Sequence, residues 1–320
     1  MPHSVQEHPV TVGFDIGGTN LRAAVVRDGA IIDRRSVDTP KDPNTLQQSI
    51  VELVDELRES YQVNGVGLAI AGFLDPTCEI VRFAPHLPWR DRNVRAELSE
   101  ALKLPVRLEH DANSAAWGEY RYGAAKDVDN WVLFAVGTGI GATLMNGGEI
   151  YRGAFGTAPE FGHLCVVPDG RPCPCGKRGC LERYCSGTAL VQTAHEMLDA
   201  QPHRPSVLRE TEDFSGKAVM DAARAGDELA LAVFEDFGTW LGKALSIVAD
   251  VLDPGLIVIG GGVASACDLY MDRAKAALAE SIVGAGHRPL PDARCASLGG
   301  DAGMIGVADL ALRSVEPQAG

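Results

Sequence analysis

Residues 10–14, V-T-V-G-F, carry no charge and three large apolar side chains, and read as a buried strand. A second strand is expected at residues 21–27 and a third at 31–37. Between them stands Asp28-Gly29, the dipeptide that favours a two-residue hairpin. After Pro43 the apolar spacing changes to three and four, so that Leu46, Ile50, Leu53, Val54 and Leu57 share one helix face. Residues 65–71 read as a strand, 72–91 as a long loop rich in proline and aromatic residues, 94–102 as a short helix and 106–108 as a strand. An alanine-rich helix follows from Asp111. Then the opening repeats: strand W-V-L-F-A-V, glycine-rich turn, strand A-T-L-M, N-G-G hairpin, strand. Two such openings suggest a duplicated βββαβαβα core. Helices are expected at 188–198, 217–225 and 228–251, the last stopped by Asp253-Pro254. A short buried strand at 256–259, a helix from Val263 and a closing helix at 301–312 with a frayed tail complete the pattern.

Length and charge narrow the class. The 320 residues leave room for two domains, each with its own core. A net charge of −14 argues against nucleic acid and against an anionic membrane surface. No apolar run approaches the roughly 18 residues of a spanning helix. The opening M-P-H-S-V-Q-E-H-P has neither a basic nor an apolar leader region, so no signal peptide is expected. The expectation is a soluble, cytoplasmic protein.

The densest chemistry lies between Glu160 and Glu182, in E-F-G-H-L-C-V-V-P-D-G-R-P-C-P-C-G-K-R-G-C-L-E. His163, Cys173, Cys175 and Cys180 make one imidazole and three thiolates, a set suited to a closed, structural zinc site. A sulfur-rich buried loop is the plainer alternative, with Cys165 and Cys185 near by, and a disulfide is another. In a cytosolic chain, clustered cysteines more often bind metal. A metal tying His163 to Cys180 would hold the Glu160 and Glu182 carboxylates close together, as acceptors for the hydroxyls of a polyol or sugar.

Three further stretches carry candidate chemistry. In D-I-G-G-T-N, residues 15–20, the turn Gly17-Gly18-Thr19 presents N–H groups and a hydroxyl to a ligand, and Asp15 at the strand end is where magnesium would be held. Gly137-Thr138-Gly139-Ile140-Gly141 repeats that logic. It is neither a Walker A loop nor a dinucleotide fingerprint, since it opens into a strand. Two such loops facing each other could grip a polyphosphate. Gly260-Gly261-Gly262 after a strand and before a helix is another geometry for approach to a nucleotide. Asp111, in E-H-D-A-N, is either a helix N-cap or a carboxylate at a strand's carboxyl end, where open α/β sheets bind ligands. The loop A-P-H-L-P-W, residues 84–89, is a natural lining for a substrate cleft.

Together D-I-G-G-T-N, E-F-G-H and C-P-C-G-K-R-G-C-L-E resemble the ROK family (repressor, open reading frame, kinase), and within it the bacterial glucokinases, over nearly the whole chain. The resemblance implies an α/β, actin-like sugar-kinase (ribonuclease H-like) fold of two domains with a cleft between, residues 1–110 plus 301–320 forming the smaller and 111–300 the larger. It implies ATP with Mg2+, structural Zn2+, and glucose phosphorylated at its 6-hydroxyl with Asp111 as general base. By the same resemblance His110, Asp111, Glu160, His163 and Glu182 contact the sugar. Asp15, Gly17, Gly18, Thr19 and Asn20 form one phosphate loop and Gly137, Thr138, Gly139 and Gly141 the other. Gly260, Gly261 and Gly262 border the adenosine. A homodimer or homotetramer is implied as well.

Two positions depart from the family pattern: His110 and His86 stand where members usually carry asparagine. Histidine is bulkier and titrates near neutral pH, which bears on sugar preference. Other hexoses (mannose, fructose, an N-acetylhexosamine) or a polyphosphate donor are the alternatives within the enzyme class. A sugar-responsive regulator of the same family would need a helix-turn-helix ahead of the first strand, where about nine residues stand. A non-catalytic sugar sensor is disfavoured by the retained Asp15, glycine loops and Asp111.

Overall fold

The structure, a computed structural model, describes residues 9–314. The stretch read for a leader, but for Pro9, and the tail expected to fray, 315–320, lie outside the described residues. The chain opens on β1 (Val10–Ile16), β2 (Asn20–Arg27) and β3 (Ala30–Asp38), an antiparallel meander. Asp28 and Gly29 both have positive φ, 51° and 75°, as a hairpin turn with the twist of its strands requires. Helix α1 (Pro43–Arg58) starts on Asp42, whose carboxylate accepts the Asn44 and Thr45 N–H groups, and buries the five apolar residues that its spacing placed on one face. Strand β4 (Val63–Ile70) then runs parallel to β1.

Residues 72–91, expected as a loop, carry three very short strands instead: β5 (Phe73–Leu74), β6 (Val81–Phe83) and β7 (Arg90–Arg92), which form a small separate sheet. Strands of two or three residues are too short for a period to register. Asp75 makes the segment compact by accepting N–H groups from Thr77, Glu79 and Ile80, while Val81 and Trp89 are wholly buried. Next come α2 (Val94–Leu102), β8 (Val106–His110) and α3 (Asp111–Tyr122).

The second opening follows as β9 (Trp131–Val136), β10 (Ile140–Asn146) and β11 (Glu149–Tyr151). After the cysteine-rich stretch come α4 (Gly187–Ala200), α5 (Gly216–Arg224), α6 (Glu228–Leu252), β12 (Leu256–Gly260), α7 (Cys267–Ser281), β13 (Asp292–Cys295) and α8 (Ala302–Arg313). The helix expected from Val263 begins as a 3-10 turn, Gly262–Ala266, because Gly261 at φ 79° turns the chain out of helical geometry just before it. Strand β13 went unread, for among its residues D-A-R-C only Ala293 is buried. A disulfide joins Cys267 to Cys295.

The two main sheets have the orders β3-β2-β1-β4-β8 and β11-β10-β9-β12-β13. With strands counted in sequence within each, the orders are identical, as the duplicated core predicts. The chain divides into two compact units. Of the described residues, one holds 9–127, Gly148–Pro159 and 300–314; the other holds Val128–Gly147 and Glu160–Gly299. Among the described residues no helix is long and apolar enough to cross a membrane.

Within the first unit α8 packs against β1, β4 and α3 backbone to backbone. A Cβ added at Gly13 of β1 would overlap the Met304 carbonyl, one at Gly67 of β4 the Val307 carbonyl, and one at Gly118 of α3 the Ala302 carbonyl. Gly306 of α8 meets the Ser114 carbonyl in the same way. Backbone cannot yield as a side-chain tip does, so a methyl group here forces the elements apart. We expect Gly306→Ala to cost about 2–3 kcal/mol or more, read as a lower thermal midpoint. An unchanged midpoint would contradict this packing.

Candidate active site

The D-I-G-G-T-N turn is tied down at several points. Gly17 N–H donates to the Asn20 carbonyl at 3.0 Å, Thr39 N–H to the Thr19 carbonyl at 2.8 Å and the Thr39 hydroxyl to the Gly17 carbonyl at 2.7 Å. The Asp15 carboxylate pairs with Arg22, its cross-strand partner in the β1–β2 register. Gly18 lies against the loop of residues 84–89: a Cβ there would stand 2.8 Å from the His86 Cβ. This unit thus brings together Gly18 and His86, which the sequence could only name separately.

Asp111 is the first helical residue of α3. The cap position belongs to His110, in extended geometry and without a side-chain cap bond. The reading of Asp111 as an N-cap is therefore not what the backbone adopts. Its Oδ1 accepts the Ala112 N–H at 2.8 Å and lies 3.2 Å from His110 Nδ1, with the side chain about half exposed at 47%. Beneath the junction sits Glu109, a residue the sequence reading left without a role. Its side chain is fully buried. Oε1 accepts the His110 N–H at 3.2 Å and the Asn113 amide at 3.0 Å, while Oε2 takes Arg107 at 3.0 Å and pairs with Arg152. Burial alone would raise the Glu109 pKa, but the two guanidiniums outweigh it and hold the carboxyl below its ordinary value. A signal was present: Arg107 and Glu109 lie two apart on one strand, hence on one face. At the other end of α3, Trp117 Nε1 donates to Asp309 of α8 at 2.7 Å.

In the second unit the Gly137–Gly141 loop closes on itself through a bond of 2.9 Å from Gly137 N–H to the Gly139 carbonyl. It is stapled to the start of α4 by Gly187 N–H on the Gly137 carbonyl and the Thr188 hydroxyl on the Thr138 carbonyl, both at 2.8 Å. Beside it opens a cavity of about 810 Å³, lined by Gly137, Thr138, Gly187, Thr188, Ser215, Gly216, Lys217, Met220, Gly262, Val263 and Ser265 among others. That volume suits a nucleotide-sized ligand. Gly137, Thr138 and Gly262 thus share one cavity, whereas Gly139, Gly141, Gly260 and Gly261 do not line it. Gly261 serves the turn, where a Cβ would overlap the Val136 carbonyl. The lining at 187–188 and 215–217 was invisible in sequence, since helix starts with small residues are common and only the fold brings these two to one place.

The cysteine stretch folds as a tight knuckle with Gly176 and Gly179 at positive φ. The donor atoms of His163, Cys173, Cys175 and Cys180 all lie within 4.8 Å of one another. Cys175 and Cys180 sulfurs are 3.7 Å apart, and His163 Nδ1 is 3.8 Å from the Cys173 sulfur. Tetrahedral zinc with Zn–S bonds of about 2.3 Å separates its sulfurs by about 3.8 Å, so the donor set and its spacing fit such an ion. Cys165 and Cys185 stand outside the four. The two glutamates flank the imidazole: Glu182 Oε1 is 3.7 Å from Nδ1 and Glu160 Oε2 is 3.9 Å from Nε2. Gly139 reaches this cluster too, for a Cβ there would stand 2.6 Å from Glu182 Oε2. Arg171 braces the knuckle from behind, donating to the Arg183 carbonyl at 2.6 Å and stacking on Tyr184.

Comparison with known proteins gives these geometries a context. A model of the ROK family matches residues 11–314. A glucokinase of Streptomyces coelicolor is 38% identical over 308 residues, 94% of this chain and 97% of its own. A glucokinase of Halalkalibacterium halodurans is 36% identical, with 92% of each chain covered. The solved ROK family glucokinase of Streptomyces griseus, in complex with glucose and AMPPNP, superposes with a TM-score of 0.84 at 38% identity, covering 95% of this chain and 99% of that one. The fold is that of the actin-like sugar kinases.

The depressed Glu109 pKa has a consequence for stability. Its contribution is present above the unfolded value of about 4.3 and is lost as the pH falls through the lower folded value. The stability gap between wild type and Glu109→Gln should therefore be widest near neutrality and narrow below about pH 4. Denaturant midpoints across that range measure it; a gap independent of pH would contradict the assignment.

Proposed function

The chain belongs to the ROK family, and within it we propose that it is a glucokinase, transferring the γ-phosphoryl group of ATP to the 6-hydroxyl of glucose. The observation that carries this is the likeness to the Streptomyces glucokinases along nearly the whole of both chains, at 38% identity. In the reaction the sugar oxygen bonds to the γ-phosphorus, the bond from that phosphorus to the β,γ-bridging oxygen breaks, and the hydroxyl proton passes to Asp111. Such transfer depends mainly on positioning and charge neutralisation. Asp111 sits on a rigid junction with an accessible carboxylate, which is what a base within reach of a hydroxyl needs. Glu160, His163 and Glu182 would offer acceptors and a ring nitrogen to sugar hydroxyls, and His110, next to Asp111, would offer another ring nitrogen.

For the nucleotide, the cavity beside the Gly137–Gly141 loop would take the adenosine, with Gly262 at its border, and the glycine-rich turns at 17–20 and 137–141 are each the kind of backbone that offers donors to phosphate. Asp15 would hold the magnesium that arrives with ATP and neutralises phosphate charge; Arg22 now occupies that carboxylate. His163, Cys173, Cys175 and Cys180 would hold zinc as a structural ion, since four protein ligands leave no place for water. We place the enzyme in the cytoplasm, where ATP is supplied, and infer a homo-oligomer from the family.

ADP release with glucose, mannose, fructose and N-acetylhexosamines, ATP and polyphosphate being compared as donors, tests the whole reading. Absence of turnover with glucose and ATP would sink it. Asp111→Asn keeps the shape and removes the proton acceptor, so glucose should still bind while kcat falls by about 10²-fold or more. A kcat within a few-fold of wild type would remove Asp111 from the role of base. Cys175→Ser should lower bound zinc from near one per chain and reduce activity by loosening the segment that carries Glu160 and Glu182. Wild-type protein purified without zinc yet fully active would end that claim.

A further inference from the structure

Glu109 is an expensive residue to keep. An ionised carboxylate with no solvent exposure is tolerated only where partners replace its water. Here the partners are divided between the two oxygens. Oε2 faces the charges, with Arg107 at 3.0 Å on its own strand and Arg152, which comes from just beyond β11. Oε1 faces the strand-to-helix junction, where it accepts the His110 N–H at 3.2 Å and the Asn113 amide at 3.0 Å. Those two donors flank Asp111 in sequence on either side. His110 makes no side-chain cap bond, and the junction's other tie is the Ser114 hydroxyl, which donates to the His110 carbonyl at 2.9 Å.

We propose that Glu109 is a positioning residue for the transfer: paired with Arg152 and Arg107, it fixes His110 and Asn113, and so the backbone from which Asp111 reaches the hydroxyl. The reason to separate the oxygens in this way is geometric. A strand that turns into a helix at one residue leaves the ψ of His110 and the first-turn N–H groups to set where the Asp111 carboxylate points. The Asp111 side chain is half exposed, and its Oδ1 accepts the N–H of the next residue, Ala112, so where it points follows the backbone that Glu109 grips from below. A carboxylate tethered to two guanidiniums moves little, and what it grips moves little.

This inference rests on Asp111 as the base, and the test separates the two. Glu109→Gln and Asp111→Asn are made singly and together, and kcat, calorimetric glucose affinity and the thermal midpoint are measured for each. A displaced base costs rate rather than binding. Glu109→Gln is therefore expected to lower kcat by about tenfold or more, with glucose affinity within about threefold of wild type at temperatures where the fold is intact. In the Asp111→Asn background the same change should lower the residual rate less than about twofold, because a residue acting through the base has nothing left to act on. Arg152→Met should behave as Glu109→Gln does, and Arg152→Lys should recover most of the rate. Should Glu109→Gln fail to fold, Asn113→Ala deletes one of the two grips without touching a charge, and its loss of kcat should vanish in the Asp111→Asn background in the same manner. Losses that multiply in the double variants, or a folded Glu109→Gln with kcat within twofold of wild type, would overturn the proposal alone. Full turnover in Asp111→Asn would overturn it together with the assignment of the base.

Discussion

Helix α8 reaches the first sheet and α3 with nothing between the backbones, and the first unit is arranged around that approach. Gly13 and Gly67 give the sheet a flat place for the helix to lie, and Gly118 and Gly306 let α3 and α8 touch main chain to main chain. Dispersion is strongest where separation is least, and backbone carbonyls cannot rotate aside as side chains do. The result is a fixed distance between α3 and the sheet. Asp309 then ties the far end of α3 through Trp117, with Tyr122 as a further donor. A helix anchored along its side and at its C-terminal end has its N-terminus placed as a consequence, and Asp111 stands at that N-terminus.

The two units reach local rigidity by different means. In the first, a charge is buried and compensated: Glu109 loses its water and recovers two guanidiniums, an amide and an N–H. Such a cluster is weak evidence for stability, since well-packed apolar side chains would fold as well. In the second, the knuckle from His163 to Cys180 has little core of its own. Its compactness comes from turns at Gly176 and Gly179 and from four donors converging on one point. The arginine brace at Arg171 and Tyr184 holds the end of the knuckle that the donors do not reach.

Much of the fold was legible in the sequence, and so was the four-donor cluster of the candidate site. Long apolar periods, the Asp28-Gly29 turn and the glycine-punctuated strands are local signals, and they placed most of the strands and helices and pointed to a duplicated core. The four-donor set announced itself because cysteine and histidine rarely cluster without chemistry to do. The small sheet at 73–92 and the edge strand β13 stayed hidden, being too short or too polar to carry a period.

What the sequence determined by itself was therefore which residues are candidates for the chemistry and which local geometries they prefer, because propensity and pattern act over a few neighbours. What only the tertiary structure decided was adjacency. The sequence could not show that Arg152 would meet Glu109 from 43 residues away, nor that His86 would rest on Gly18. Nor could it show that Gly137, Gly187 and Gly216 would line one cavity, or that Asp111 would follow its cap rather than be one. Each of these depends on long-range packing that brings distant backbone within contact distance, and no local preference encodes it.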